Sequence, residues 1–163
     1  MNAIISPCGR YRYRLERQCE GVGSTVIIMV NPSTADADKD DATIRKLRGF
    51  GNRNQWGRII VGNLFAYRAT DVRELSKVPD PSGMENQYHL QRMMIDADRV
   101  IFAWGPLSKQ PRNVRHVWRV VDNIARGNGA IPHSIGHPAK CGHPKHPLML
   151  PYDSPILEWK APQ

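Results

Sequence analysis

Asn31, Asn63, Trp104 and His137 each stand at or near the end of a short apolar run. Amides hydrogen-bond the edge of a planar heterocycle, an indole stacks on its face, and an imidazole donates to an atom gaining negative charge. The segments concerned are Asn31-Pro32-Ser33-Thr34, Asn63-Leu64-Phe65 running on to Arg68, Trp104-Gly105 and Gly136-His137. If the apolar runs are parallel strands of one sheet, these segments meet at its carboxyl edge, where open α/β sheets bind ligands. There is no GxxxxGK[ST], and Gly49-Phe50-Gly51 follows a helical stretch, so the edge is not a phosphate cradle. Structural roles compete with this chemistry. Asn31 before a proline is also a common turn residue, and Trp104 is also a good core ring. Asn63 is the sharper signal, because an amide inside an apolar strand needs partners or a bulge.

The tail holds His133, His137, Cys141, His143 and His146 within fourteen residues. Imidazole and thiolate are zinc ligands, but these spacings match no finger or knuckle and the nearby prolines stiffen the segment, so no metal and no cofactor is expected. A histidine held by the prolines of Pro144-Lys145-His146-Pro147, beside Asn31, is the stronger reading. Neutral imidazole donates one hydrogen bond and stabilises charge developing on a leaving group. Cys141 has no marked base beside it, and no Ser-His-Asp signature is present.

The elements that must position these groups alternate between two periodicities. Residues 24–30 (STVIIMV), 58–65 (RIIVGNLF) and 99–104 (RVIFAW) read as buried strands, with a short fourth strand near 130–135. A helix is expected from Asp40 or Asp41, burying Ile44, Leu47 and Phe50, with further helices over about 84–97 and 112–126. Such alternation predicts a parallel sheet with helices on both faces, and the Tyr11-to-Leu15 alternation adds an edge strand or hairpin. The tail beyond Gly136 carries six of the thirteen prolines and cannot be helical over most of its length. No repeat, linker or low-complexity tract divides the chain, so residues 1–163 form one domain.

The chain has 163 residues, 23 Lys and Arg against 15 Asp and Glu, and a formal charge of +8. No apolar run is long enough to span a bilayer, and the N-terminus lacks the order of a signal peptide. Cys8, Cys19 and Cys141 form no CxxC or disulfide framework, so the expected compartment is a reducing cytoplasm. The excess of Arg and Lys points to a polyanionic partner, nucleic acid or nucleotide, rather than to a membrane.

Four segments together resemble a family. They are Met29-Val30-Asn31-Pro32-Ser33-Thr34-Ala35-Asp36, Asn63-Leu64-Phe65-Ala66-Tyr67-Arg68-Ala69-Thr70-Asp71, Ala103-Trp104-Gly105, and the tail from Gly142 through His143, His146 and Leu148 to Glu158-Trp159. In that order they resemble the bacterial and phage family catalogued as domain of unknown function 1643. More distantly, the order of motifs is similar to the uracil-DNA glycosylase superfamily, with an Asn-Pro or Asp-Pro turn after the first core strand and a His-Pro segment after the last. That likeness implies a three-layer α/β/α fold with a four-stranded, mainly parallel sheet. It implies that Asn31 positions the attacking water and that His146, or His143 in the other register, stabilises the departing base. Asn63 falls near the base-reading strand, and Leu148 and Met149 match the apolar wedge that enters the stack when a nucleotide is flipped.

The expectation is therefore a monomeric DNA glycosylase-like enzyme that hydrolyses the N-glycosidic bond of a non-standard or modified base in single- or double-stranded DNA. Asn31, His146 and Asp36 are its expected catalytic set, with Asp36 or Asp38 standing in for the carboxylate that the first motif lacks. Ser33, Asn63, Phe65, Trp104 and His143 are expected to bind the base, and Arg68, Lys145, Leu148 and Met149 the DNA. Ser33 is small where uracil-specific members carry a bulky residue, which leaves room for a larger base. The three cysteines cannot form the four-cysteine cluster of the iron–sulfur members. Two other classes stay open: a non-catalytic module recognising a modified or unpaired base, and an enzyme acting on a free nucleotide or small metabolite.

Overall fold

Val26 and Ile28 point to one side of a strand and Ile27 and Met29 to the other, and none of the four is more than 4% exposed. A strand apolar on both faces belongs at the centre of a sheet covered on both sides. That strand is β3 (Val22–Met29) in a computed structural model describing residues 2–163. It lies between β4 (Trp56–Asn63) and β5 (Arg99–Phe102), both parallel to it, and β6 (His133–Ile135) runs parallel to β5.

Among the described residues the sheet has seven strands, three more than the expected four. β1 (Asn2–Ile5) and β2 (Arg12–Gln18) form an antiparallel hairpin whose second arm pairs with β4, so the Tyr11-to-Leu15 alternation belongs to an inner strand and β1 takes the edge. At the other edge β7 (Ile156–Glu158) pairs antiparallel with β6. The prolines of the tail forbid helix there but not a three-residue edge strand lying between them. The full order is β1-β2-β4-β3-β5-β6-β7.

α1 (Ala42–Arg53) is capped by Asp41, whose Oδ1 accepts from Ile44 N at 2.9 Å, and it buries Ile44, Leu47 and Phe50 against Ile27, Met29, Ile59 and Val61. α2 (Asn86–Ile95) and α3 (Trp118–Gly127) cover the opposite face, packing Leu90, Met93, Trp118 and Val121 against Val26, Ile28 and Phe102. Right-handed crossovers explain the division: the chain moves from β3 outward to β4 through α1, then back past β3 to β5 through α2. Gly62 allows α2 its close approach, since a Cβ there would meet Met93 Cε at 2.6 Å. The third helix begins later than its periodicity predicts. Arg115 donates back to Gln110 O and Ser108 O, and residues 107–109 and 112–114 form 3-10 turns instead. Among the described residues no helix is long and apolar enough to cross a membrane.

Candidate active site

The segments that leave β3 and β4 lie side by side at the carboxyl edge of the sheet, where open α/β sheets take ligands, next to the switch point in strand order between β3 and β5. Backbone bonds from Leu64 N to Met29 O (2.9 Å) and Phe65 N to Val30 O (3.0 Å) keep those segments together just beyond the ladder. Asn31 then ties them from its side chain, donating Nδ2 to Ala69 O at 2.7 Å and to Pro32 O at 3.0 Å. Its Oδ1 has no partner among the described residues, and Asn31 lines a cleft of about 510 Å³ together with Ser33, Asn63 and His146.

Asn63 is the least satisfied group in this cleft. It is 1% exposed, and neither Nδ2 nor Oδ1 has a partner among the described residues. Its position is fixed by the ladder to Met29 and by Asn86, whose Nδ2 donates to the Asn63 carbonyl at 3.0 Å. Leaving a buried amide unpaired costs about 1–3 kcal/mol, so the side chain of Asn63 is open to a partner from outside the protein, a water or a ligand.

The two histidines of the proline-rich tail have different surroundings. His146, half-buried, lines the cleft and caps the 3-10 turn Pro147–Met149, its Nδ1 accepting from Leu148 N at 3.3 Å. An accepting Nδ1 leaves the proton of the neutral ring on Nε2. Burial and then the nearby Lys109 push its pKa below the ordinary value, against a smaller opposing pull from Asp41, so the ring is neutral at neutral pH. His143 is only 4% exposed and sits among Trp104, Trp118 and Trp159, accepting from Trp104 Nε1 at 3.4 Å. It does not line the cleft.

Asp36 lies outside the cleft lining, and its Oδ1 accepts from the backbone N–H of Asp38 and Lys39 at 3.0 Å each, which holds its pKa below the usual carboxylate value. The carboxylates that do line the cleft are Asp41 and Asp71. Asp41 caps α1, and Asp71 is bound by the side chain and backbone N–H of Arg73, which lower its pKa to about 2. Arg12 also lines the cleft from β2, 3% exposed, its Nη1 donating to Ala35 O and its Nε without a partner among the described residues. Burial brings its pKa down to about 10, so it stays cationic at neutral pH. Sequence reasoning missed Arg12 and Asp71. A strand's alternation does not reveal which face closes on a site, and Asp71 lies in a loop.

A second cleft, also of about 510 Å³, adjoins the first through Val30, Val72, His146 and Leu148. Trp104, Lys145 and the 89%-exposed Met149 line it. Gly105, at φ +80°, makes the tight turn that brings this wall beside His146, where its own Cβ would lie 3.5 Å from the His146 Cβ. Phe65 is fully buried in the core and lines neither cleft, while Arg68 lies beside Ser33 in a shallower depression, its Nη1 donating to Gly9 O at 3.3 Å. Among the described residues no three His, Cys, Asp or Glu side chains group as a metal ion's ligands would.

Neither the curated proteins nor the solved structures include a match to the chain. The family model described as "Protein of unknown function (DUF1643)" matches residues 12–148, most of the sequence, and the chain belongs to that family.

Proposed function

We propose that the protein is a glycosylase-like hydrolase that breaks the bond between a non-standard or modified base and its sugar in DNA. The observation that carries this reading is the orphaned Asn63 amide, 1% exposed and lining the cleft that His146 also lines. A carboxamide offers one donor and one acceptor side by side, the complement of a pyrimidine or purine edge. The β4-β3-β5-β6 order, with helices on both faces, Asn31 after the first parallel strand and His146 after the last, supports the distant likeness to uracil-DNA glycosylases.

Each step needs a group that the cleft provides. Asn63 pairs with the edge of a flipped base. Breaking the glycosidic bond moves its electron pair onto the base, and the Nε2–H of neutral His146 donates to the oxygen that becomes negative. The sugar left behind gains positive charge, which the fields of Asp41 and Asp71 stabilise. Water aligned by the Asn31 Oδ1 attacks the sugar carbon and loses its proton to solvent. Arg68 and Lys145 contact phosphates, and Leu148 and Met149, both exposed, fill the space the base leaves.

A second reading is a base-recognition module without chemistry. It is favoured by the two cleft carboxylates, since Asp41 is engaged as a helix cap and Asp71 as an ion-pair partner. One experiment separates the two. Labelled DNA carrying uracil, deaminated purines or C5-substituted pyrimidines, single- and double-stranded, is incubated with protein and treated with alkali. Scission at one base, lost in Asn31→Ala and His146→Ala, establishes the hydrolase. Base-dependent, Asn63-dependent binding without scission establishes the module. Affinity that ignores the base and follows salt alone refutes both.

A further inference from the structure

Gln110 repeats the anomaly of Asn63 in the second cleft. It is 3% exposed, and neither its Nε2 nor its Oε1 has a protein partner among the described residues. Its backbone is held, since the carbonyl accepts from Arg115 Nε at 3.0 Å and the N–H donates to Leu107 O at 2.9 Å. The main chain that carries the unpaired amide is therefore held in place at the wall of the cleft. Around it the walls are apolar, formed by Val30, Val72, Trp104 and Leu150, and the charged residues of the lining are the exposed Lys109 and Lys145.

Apolar walls, one buried carboxamide and a cationic rim match a particular kind of chain. Methylenes suit the walls, an amide group exchanges two hydrogen bonds with Gln110, and a terminal carboxylate meets the lysines. The two clefts share His146, Val30, Val72 and Leu148, so a group in one is continuous with a group in the other. We propose that the second cleft is a subsite for a substituent on the base: an amide-containing chain ending in a carboxylate, attached at a ring carbon away from the edge that Asn63 reads. The proposal rests on the first cleft being the base site, and it narrows the substrate class from any modified base to one carrying an acidic amide side chain.

The test measures binding of single-stranded oligonucleotides by fluorescence anisotropy. Four probes differ at one uracil: unsubstituted, bearing a carboxyethyl group at C5, and bearing that group as its amide with methylamine or with glycine. Wild-type protein is expected to bind the glycine amide at least about ten-fold more tightly than the unsubstituted probe, with the methylamide between them. Gln110→Leu is expected to reduce that ratio to about two-fold or less, and Lys109→Ala to remove only the advantage of the glycine amide over the methylamide. Lys109 is exposed, so its variant remains informative if Gln110→Leu does not fold.

Equal affinity of wild-type protein for all four probes, with Asn63→Ala still weakening every one, overturns the subsite and leaves the base site standing. A preference for the glycine amide that survives both Gln110→Leu and Lys109→Ala places the chain elsewhere and also overturns it. Binding indifferent both to the substituent and to Asn63→Ala overturns the base site and the subsite together.

Discussion

The indole Nε1 of Trp104 donates to Nδ1 of His143 at 3.4 Å inside a cluster completed by Trp118 and Trp159. The bond requires an unprotonated Nδ1, and burial, followed by repulsion from Arg119, pushes the His143 pKa below its ordinary 6.5. A base whose folded pKa is depressed contributes stability that is complete above the unfolded value and lost as pH falls through the folded one. Urea midpoints are therefore expected to hold above about pH 6.5 and decline below it. His143→Gln keeps an acceptor for the indole but removes the titration, so the decline should flatten. An identical decline in the variant would assign it to other groups.

Asn63 separates stability from function. Because its amide has no partner among the described residues, Asn63→Ala removes a buried polar liability while opening a small void, and the two effects oppose each other. The variant's unfolding free energy is expected within about 1 kcal/mol of wild type, while base discrimination is lost. A loss beyond about 2 kcal/mol, with binding intact, would make Asn63 a structural residue.

Much of this arrangement was legible from the chain and some was not, for physical reasons. Continuous apolar runs flanked by helical periodicity mark β3, β4 and β5, because parallel strands are buried on both sides. Asn63 stood out because an amide interrupted one of those runs. The two flanking additions were harder to see, since β1 and β7 are edge strands of four and three residues with little pattern to read. The different environments of His143 and His146 could not be read at all. Three residues apart in a proline-rich segment, they are sorted by a tryptophan cluster assembled from Trp104, Trp118 and Trp159, which are far apart in sequence. Gln110 gave no signal, because a loop glutamine is ordinary until folding buries it.

Cys8, at the turn of the β1–β2 hairpin, accepts from Ser6 and is held by the backbone and side chain of Arg10, which together lower its pKa to about 7. Thiolate is the reactive form, so the exposed Cys8 is expected to react readily at neutral pH. Burial acts oppositely on Cys19, raising its pKa. Alkylation with iodoacetamide, followed by peptide mass spectrometry, should label Cys8 well before Cys19. Arg10→Ala should shift the pH midpoint of Cys8 labelling up toward the ordinary 9.0. Equal labelling rates for Cys8 and Cys19 would contradict the turn geometry. Because Arg10 and Arg68 border the same depression, bound DNA should slow the labelling of Cys8 if phosphates lie there.

Arg17 fixes the loop that carries the site's first motif into α1. Its side chain is 1% exposed, with Nε on Asp40 at 2.6 Å, Nη1 on Glu16 O at 2.8 Å and Nη2 on Asp36 O. Removing Arg17 leaves Asp40 to Arg48 alone and orphans the Glu16 and Asp36 carbonyls, so Arg17→Ala is expected to cost about 3 kcal/mol in urea unfolding. Asp40→Asn should cost less, since Arg17 keeps its carbonyl partners. Burial raises the Asp40 pKa, but hydrogen bonds from Arg17 and Arg48 outweigh it and hold the group below its ordinary 3.8. The pair's contribution is thus complete above pH 3.8 and disappears as pH falls through the lower folded value. Below that value the gap between wild type and Asp40→Asn should close. A gap that stays constant down to the acid end would mean that Asp40 holds the loop by shape and not by charge.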